Sequence, residues 1–120
     1  MSTERRRAPR IAEQVSLAIQ DAESSLQTDT KNLSASGVYC TLSRFLAPMT
    51  KVELQFELPG ALRRRRVRCS GVIVRVEPVI AHADQGLYHV AIFFTELSER
   101  DRAAIARFVQ RRLTAGVPTS

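Results

Sequence analysis

The chain has no tryptophan, two cysteines, two histidines and two lysines among its 120 residues. Each scarcity excludes something. Cys40 and Cys69 lie far apart in apolar contexts with no C-x-x-C spacing, so they read as reduced, buried thiols and not as a disulfide framework or a zinc ribbon. His82 and His89 have no cysteine or carboxylate cluster beside them at metal-ligand spacing, which leaves them solvated or structural. No serine stands in a nucleophile elbow, and no glycine-rich phosphate loop carries a lysine. The chain therefore does not read as an enzyme, and no cofactor is expected. Five Phe and two Tyr, with no aromatic–basic interleaving, offer little for stacking on single-stranded nucleic acid. No apolar run approaches the ~18 residues of a membrane span. The opening Met-Ser-Thr-Glu-Arg-Arg-Arg has no apolar stretch behind it, so no secretory signal is read and the expected compartment is the cytoplasm.

What the chain does have is arginine. Of 18 basic residues only Lys31 and Lys51 are lysines, and the formal net charge is +6. The guanidinium is a planar fork of donors that suits phosphate oxygens and the O6/N7 edge of guanine, which a point-like ammonium does not match. A GC-rich genome produces the same skew, so composition suggests an anionic partner without choosing one.

The hydropathy pattern predicts strands and one helix. Val15, Leu17 and Ile19 share one parity, as in a half-buried strand. A polar turn at 20–25 leads to a weaker strand over 26–33, and a third follows over 38–42. Residues 51–58 alternate through Val52, Leu54, Phe56 and Leu58 until Pro59-Gly60 stops them. Residues 63–76 read as one long strand with an apolar parity switch near Gly71, which predicts a bulge. Residues 87–94 are apolar enough to be buried on both faces. Ser98 then caps a helix, with Asp101 in the acid position of a capping box, a stripe of Ile105, Phe108, Val109 and Leu113, and Arg111 and Arg112 in the last turn. The fold class is all-β: a six-stranded antiparallel barrel of the split kind with one C-terminal helix. A single domain is expected over 5–113, with tails at 1–4 and 114–120 expected to be flexible.

Two motifs carry binding chemistry. Arg6 and Arg10 form R-x-x-x-R in a leader that Pro9 keeps out of helix, so the guanidinium groups are free to reach over a ligand. The spacing recurs at Arg64/Arg68 and Arg107/Arg111, so by itself it proves little. Asn32, Ser34 and Gly37 form N-x-S-x-x-G between two strands, where an ordinary turn also favours these residue types. Together, in this order and over almost the whole chain, the two motifs and the strand pattern resemble the PilZ domain family.

That resemblance implies a bacterial receptor domain for cyclic di-GMP. It implies that Arg6 and Arg10 grip phosphates and guanine Hoogsteen edges, that Asn32 and Ser34 contact a guanine from the barrel surface, and that Gly37 holds the turn. It also implies that Arg5, directly before the first motif arginine, goes with an intercalated ligand dimer. Docking of the ligand is expected to fold the leader onto the barrel and change the surface offered to a downstream protein effector, in the regulation of motility or biofilm formation. Two departures stand out: Asn32 where many members have Asp, and Ala91 where the last strand often has Gly. The four arginines at 63–66 are outside the family signature and read as a solvated strand end or as a partner patch. Two other functions remain compatible with the residues: a nucleotide-independent interaction scaffold, and a small basic barrel that binds nucleic acid.

Overall fold

Seven strands and one helix make up the regular structure of residues 9–60, 63–79 and 86–116, the part of the chain that this computed structural model describes. The strands are β1 (Arg10–Ile11), β2 (Ser16–Gln20), β3 (Ser25–Ser34), β4 (Gly37–Leu42), β5 (Lys51–Leu58), β6 (Arg65–Pro78) and β7 (Tyr88–Glu96). Six of them run β3-β2-β5-β6-β7-β4, all antiparallel, and β4 returns to pair with β3, which closes the barrel. Closure removes the free strand edges that an open sheet of this size would expose. The seventh, β1, is an extra strand laid on the free end of β3.

Strict alternation fills the interior. Leu17 and Ile19 from β2, Val52, Leu54, Phe56 and Leu58 from β5, and Val90, Ile92 and Phe94 from β7 are all buried. Asp21 makes the β2–β3 turn by accepting the backbone N–H groups of Glu23 (2.9 Å) and Ser24 (2.8 Å) on its carboxylate. The helix α1 (Glu99–Gly116) packs Ala104, Ile105, Phe108 and Val109 into the same core. Its start is as expected: Ser98 Oγ accepts the Asp101 N–H at 3.0 Å. The Asp101 carboxylate, however, takes Arg65 of β6 at 2.9 Å, so it ties the helix to the barrel.

Four local expectations are corrected. The β6–β7 register does shift at Ser70/Gly71, but inward parity continues to Ile73 and changes only at a second shift between Ile73 and Arg75, which leaves Val74 exposed. Gly71 is small because a Cβ there would sit 2.8 Å from Ile92 Cγ2. Strand β7 is not buried on both faces, since Phe93 is exposed. The helix runs to Gly116, so Arg111 and Arg112 precede its last turn and Leu113 falls on its outer side.

Cys40 and Cys69 are free and buried. Burial pushes both thiols up from an ordinary value of 9.0 to about 12, and at Cys69 the nearby carboxylates of Asp101 and Glu53 add to the effect. Above pH ~9 the unfolded chain ionises these thiols while the folded chain keeps them protonated. Stability is therefore complete below that pH and falls as pH rises toward the folded values, by about 1.4 kcal/mol per thiol one unit above the unfolded pKa. Urea titrations between pH 8 and 11 check this: the slope flattens in Cys40→Ala/Cys69→Ala and persists in the wild type.

Candidate functional site

The site forms where β1 meets the β3–β4 corner. Ile11 is buried and anchors β1, which pairs Arg10 with Ser34 and Ile11 with Leu33 on β3. Thr30, itself buried, holds the connection to β2: its Oγ1 donates to the Glu13 carbonyl at 2.5 Å and accepts the Val15 N–H at 3.0 Å. A buried threonine satisfied on both sides leaves this link little freedom to drift.

A bulge then sets the face on which Asn32 emerges. Pairing of β3 with β4 slips between Thr30 and Asn32, so inward positions change from Thr30 to Leu33, and Lys31 and Asn32 both stand outside the core. Without the slip, Asn32 would share the buried face of Thr30. Because of it, Arg10 donates from Nη1 to Asn32 Oδ1 at 2.8 Å. The second arginine of the R-x-x-x-R motif and the first residue of N-x-S-x-x-G thus touch across 22 positions of sequence.

The corner itself is rigid. Ser34 is fully buried, and its Oγ accepts the N–H groups of Ser36 (3.1 Å) and Gly37 (3.3 Å). The turn is therefore Ala35-Ser36, with Asn32 and Ser34 in the strand before it. The Ser36 carbonyl accepts the Phe94 N–H at 3.0 Å. Gly37 is required for a reason the sequence does not show: a Cβ there would lie 2.3 Å from the Ile92 carbonyl oxygen of β7. From the helix, Arg102 donates from Nη1 to the Ala35 carbonyl at 2.9 Å. Arg112, stacked 4.9 Å over Phe108, pairs with Glu13 at 3.2 Å. The helix therefore grips both the corner and the segment that follows β1. Sequence reasoning misses Arg102 because it is 67 positions from Ala35 and carries no motif.

The resulting surface is a shelf. Arg10, bonded to the amide of Asn32, and Lys31, the residue before Asn32 on β3, are both exposed beside a corner fixed by strand and helix. A larger concavity of about 420 Å³ lies elsewhere, on the outer face of β2 and β5 around Ala18 and Gln55, and contains none of these residues. The shelf is the better candidate for an anion, because Arg10 keeps unengaged guanidinium donors there, whereas the concavity already pairs its Arg64 with Glu57. Arg5, Arg6 and His82 lie outside the described residues. His89 stacks on Tyr39 with ring centres 5.6 Å apart and serves the outer face of the barrel. Among the described residues no group of three or more His, Cys, Asp or Glu side chains is placed to hold a metal, and no helix is long and apolar enough to cross a membrane.

Solved structures share this architecture at low sequence identity. The Bacillus subtilis inhibitor of motility, MotI/DgrA, superposes with a TM-score of 0.82 at 19% identity, over 93% of this chain and 53% of that one. YcgR from Escherichia coli, in complex with c-di-GMP, gives 0.71 at 16% identity over 92% and 47%. The isolated PilZ domain of Escherichia coli YcgR, also with c-di-GMP, gives 0.66 at 14% over 94% and 99%. The chain thus spans about half the length of the first two proteins, and all of the isolated domain. No curated protein matches it by sequence. The family described as PilZ domain matches residues 4–111, a span that contains both motifs, every barrel strand and most of α1. The chain belongs to the PilZ domain family.

Proposed function

We propose that this domain is a non-catalytic receptor for cyclic di-GMP, acting in the cytoplasm. The carrying observation is the 2.8 Å bond from Arg10 to Asn32, since a receptor of this kind needs the arginine leader and the N-x-S-x-x-G corner on one surface. In the proposed complex Arg5, Arg6 and Arg10 meet the phosphates and guanine edges of the ligand. Asn32 adds its amide, while Ser34 and Gly37 serve through the corner they hold. The donor count supports this: with one N–H engaged by Asn32 Oδ1, Arg10 keeps four others, and Asn32 keeps its NH2 donors for the O6 and N7 acceptors of guanine. The PilZ relatives solved with c-di-GMP lend further support.

Ligand docking brings Arg5 and Arg6 over the shelf and changes the surface seen by a protein effector. Regulation of motility or biofilm formation is the proposed output, in keeping with the inhibitor-of-motility relative. Calorimetric titration with cyclic di-GMP, GTP and cyclic AMP tests the reading. Saturable binding at micromolar cyclic di-GMP, with the other two nucleotides far weaker, is the expected result. No heat at that concentration would sink it and favour the nucleotide-independent scaffold.

A further inference from the structure

A second cationic surface, which shares no lining residue with the shelf, lies where α1 passes the end of β5. Two adjoining concavities of about 190 and 100 Å³ open there over Phe108 and Pro59, lined by Arg65, Arg107, Arg111 and Arg112 and, among the described residues, by no carboxylate. Two of these arginines are already held: Arg65 by Asp101 at 2.9 Å, and Arg112 by Glu13 at 3.2 Å. Arg107 and Arg111 make no ion pair among the described residues and are exposed. They stand one helical turn apart, where like charges weaken a helix. An anion between them removes that repulsion.

The shape selects the kind of anion. Each concavity has room for a side-chain carboxylate, and the two together only reach the ~300 Å³ at which whole small-molecule sites begin. Arg107 and Arg111 have Cβ atoms about 6 Å apart. Alternate side chains of an extended peptide recur every ~6.6 Å on one side. Phe108 is 2% exposed, so no aromatic face is open for base stacking. We infer that this groove docks an extended acidic segment of a partner protein, with acidic residues at alternate positions set against Arg107 and Arg111. The surface is separate from the nucleotide shelf, and the inference does not depend on what the shelf binds.

The test is fluorescence anisotropy on the full chain at roughly 0.15 M salt. The probes are a labelled decapeptide alternating Glu and Ser, its Gln/Ser counterpart, and labelled oligo-dT. Arg107→Gln/Arg111→Gln is compared with Arg75→Gln/Arg100→Gln, which removes the same charge from other exposed positions. Roughly tenfold weaker binding of the Glu/Ser peptide to the groove variant, with less than about a threefold change in the control, is expected. The groove variant should also melt no lower than wild type, because a repulsive pair has been removed. Cyclic di-GMP titration of that variant should match wild type, which separates this outcome from the fate of the receptor reading. Equal losses in the two variants, no binding of the Glu/Ser peptide to wild type, or tighter binding of oligo-dT that depends on Arg107 and Arg111 would each overturn the proposal.

Discussion

Replacing Arg10 with alanine weakens cyclic di-GMP binding by about ten- to a hundredfold while leaving the barrel folded. The magnitude follows from the chemistry of the lost group. A hydrogen bond to a charged partner contributes roughly 1.5–3 kcal/mol, and Arg10 is the described motif arginine aimed at the shelf. The fold is spared because Arg10 is exposed, β1 is held by the burial of Ile11, and an exposed contact of this kind is worth at most about 1 kcal/mol. Arg10→Lys should lose much of the affinity as well, since an ammonium keeps the charge but not the fork. Titration calorimetry beside thermal melts separates the two quantities. Unchanged affinity in Arg10→Ala, with wild-type melting, removes the basis for placing the nucleotide on this shelf.

Gly37→Ala is expected to be strongly destabilising for a single added methyl group. Its Cβ would lie 2.3 Å from the Ile92 carbonyl oxygen, and the atoms it meets are all backbone, so β4 and β7 must move apart. Overpacking that rotamer changes cannot relieve costs about 3 kcal/mol, a fall in melting temperature on the order of 15 °C for a domain of this size. Because Gly37 N–H also bonds Ser34 Oγ, the corner loosens and nucleotide affinity falls in the molecules that remain folded. Gly86→Ala is the informative comparison. Gly86 has φ 66°, and a methyl group added there would meet no described residue within 4 Å, so left-handed strain dominates, about 1 kcal/mol. A Gly86→Ala loss as large as that of Gly37→Ala would show that the tight β4–β7 approach is not what makes Gly37 necessary.

The strands are legible in the sequence wherever one face is buried and the other wet. Leu17 and Ile19, or Val52 through Leu58, announce themselves by parity, and the bounds of β5 agree with the pattern. Ser98 announces the helix start by the same kind of local rule. Local rules fail where a strand changes its partner or its twist. The parity of β6 misleads near Gly71 because a register shift in the ladder and a change of inward face occur close together along the strand, and only the position of β7 separates them. Phe93 reads as a core residue because strand hydrophobicity does not reveal which face a closing barrel leaves outside.

The site divides in the same way. Its residue types and their order along the chain were set by the sequence alone: a leader rich in guanidinium groups, and a corner of short polar residues and glycine. Their meeting was decided by tertiary structure. Arg10 reaches Asn32 because β1 lies on β3 and because a bulge at Lys31 turns the amide out of the core, and Arg102 closes on Ala35 only once the helix has crossed the barrel. Periodicity records which side of a strand is dry. It holds no information about which distant strand or helix will lie beside it, since that choice is made by packing the whole core at once.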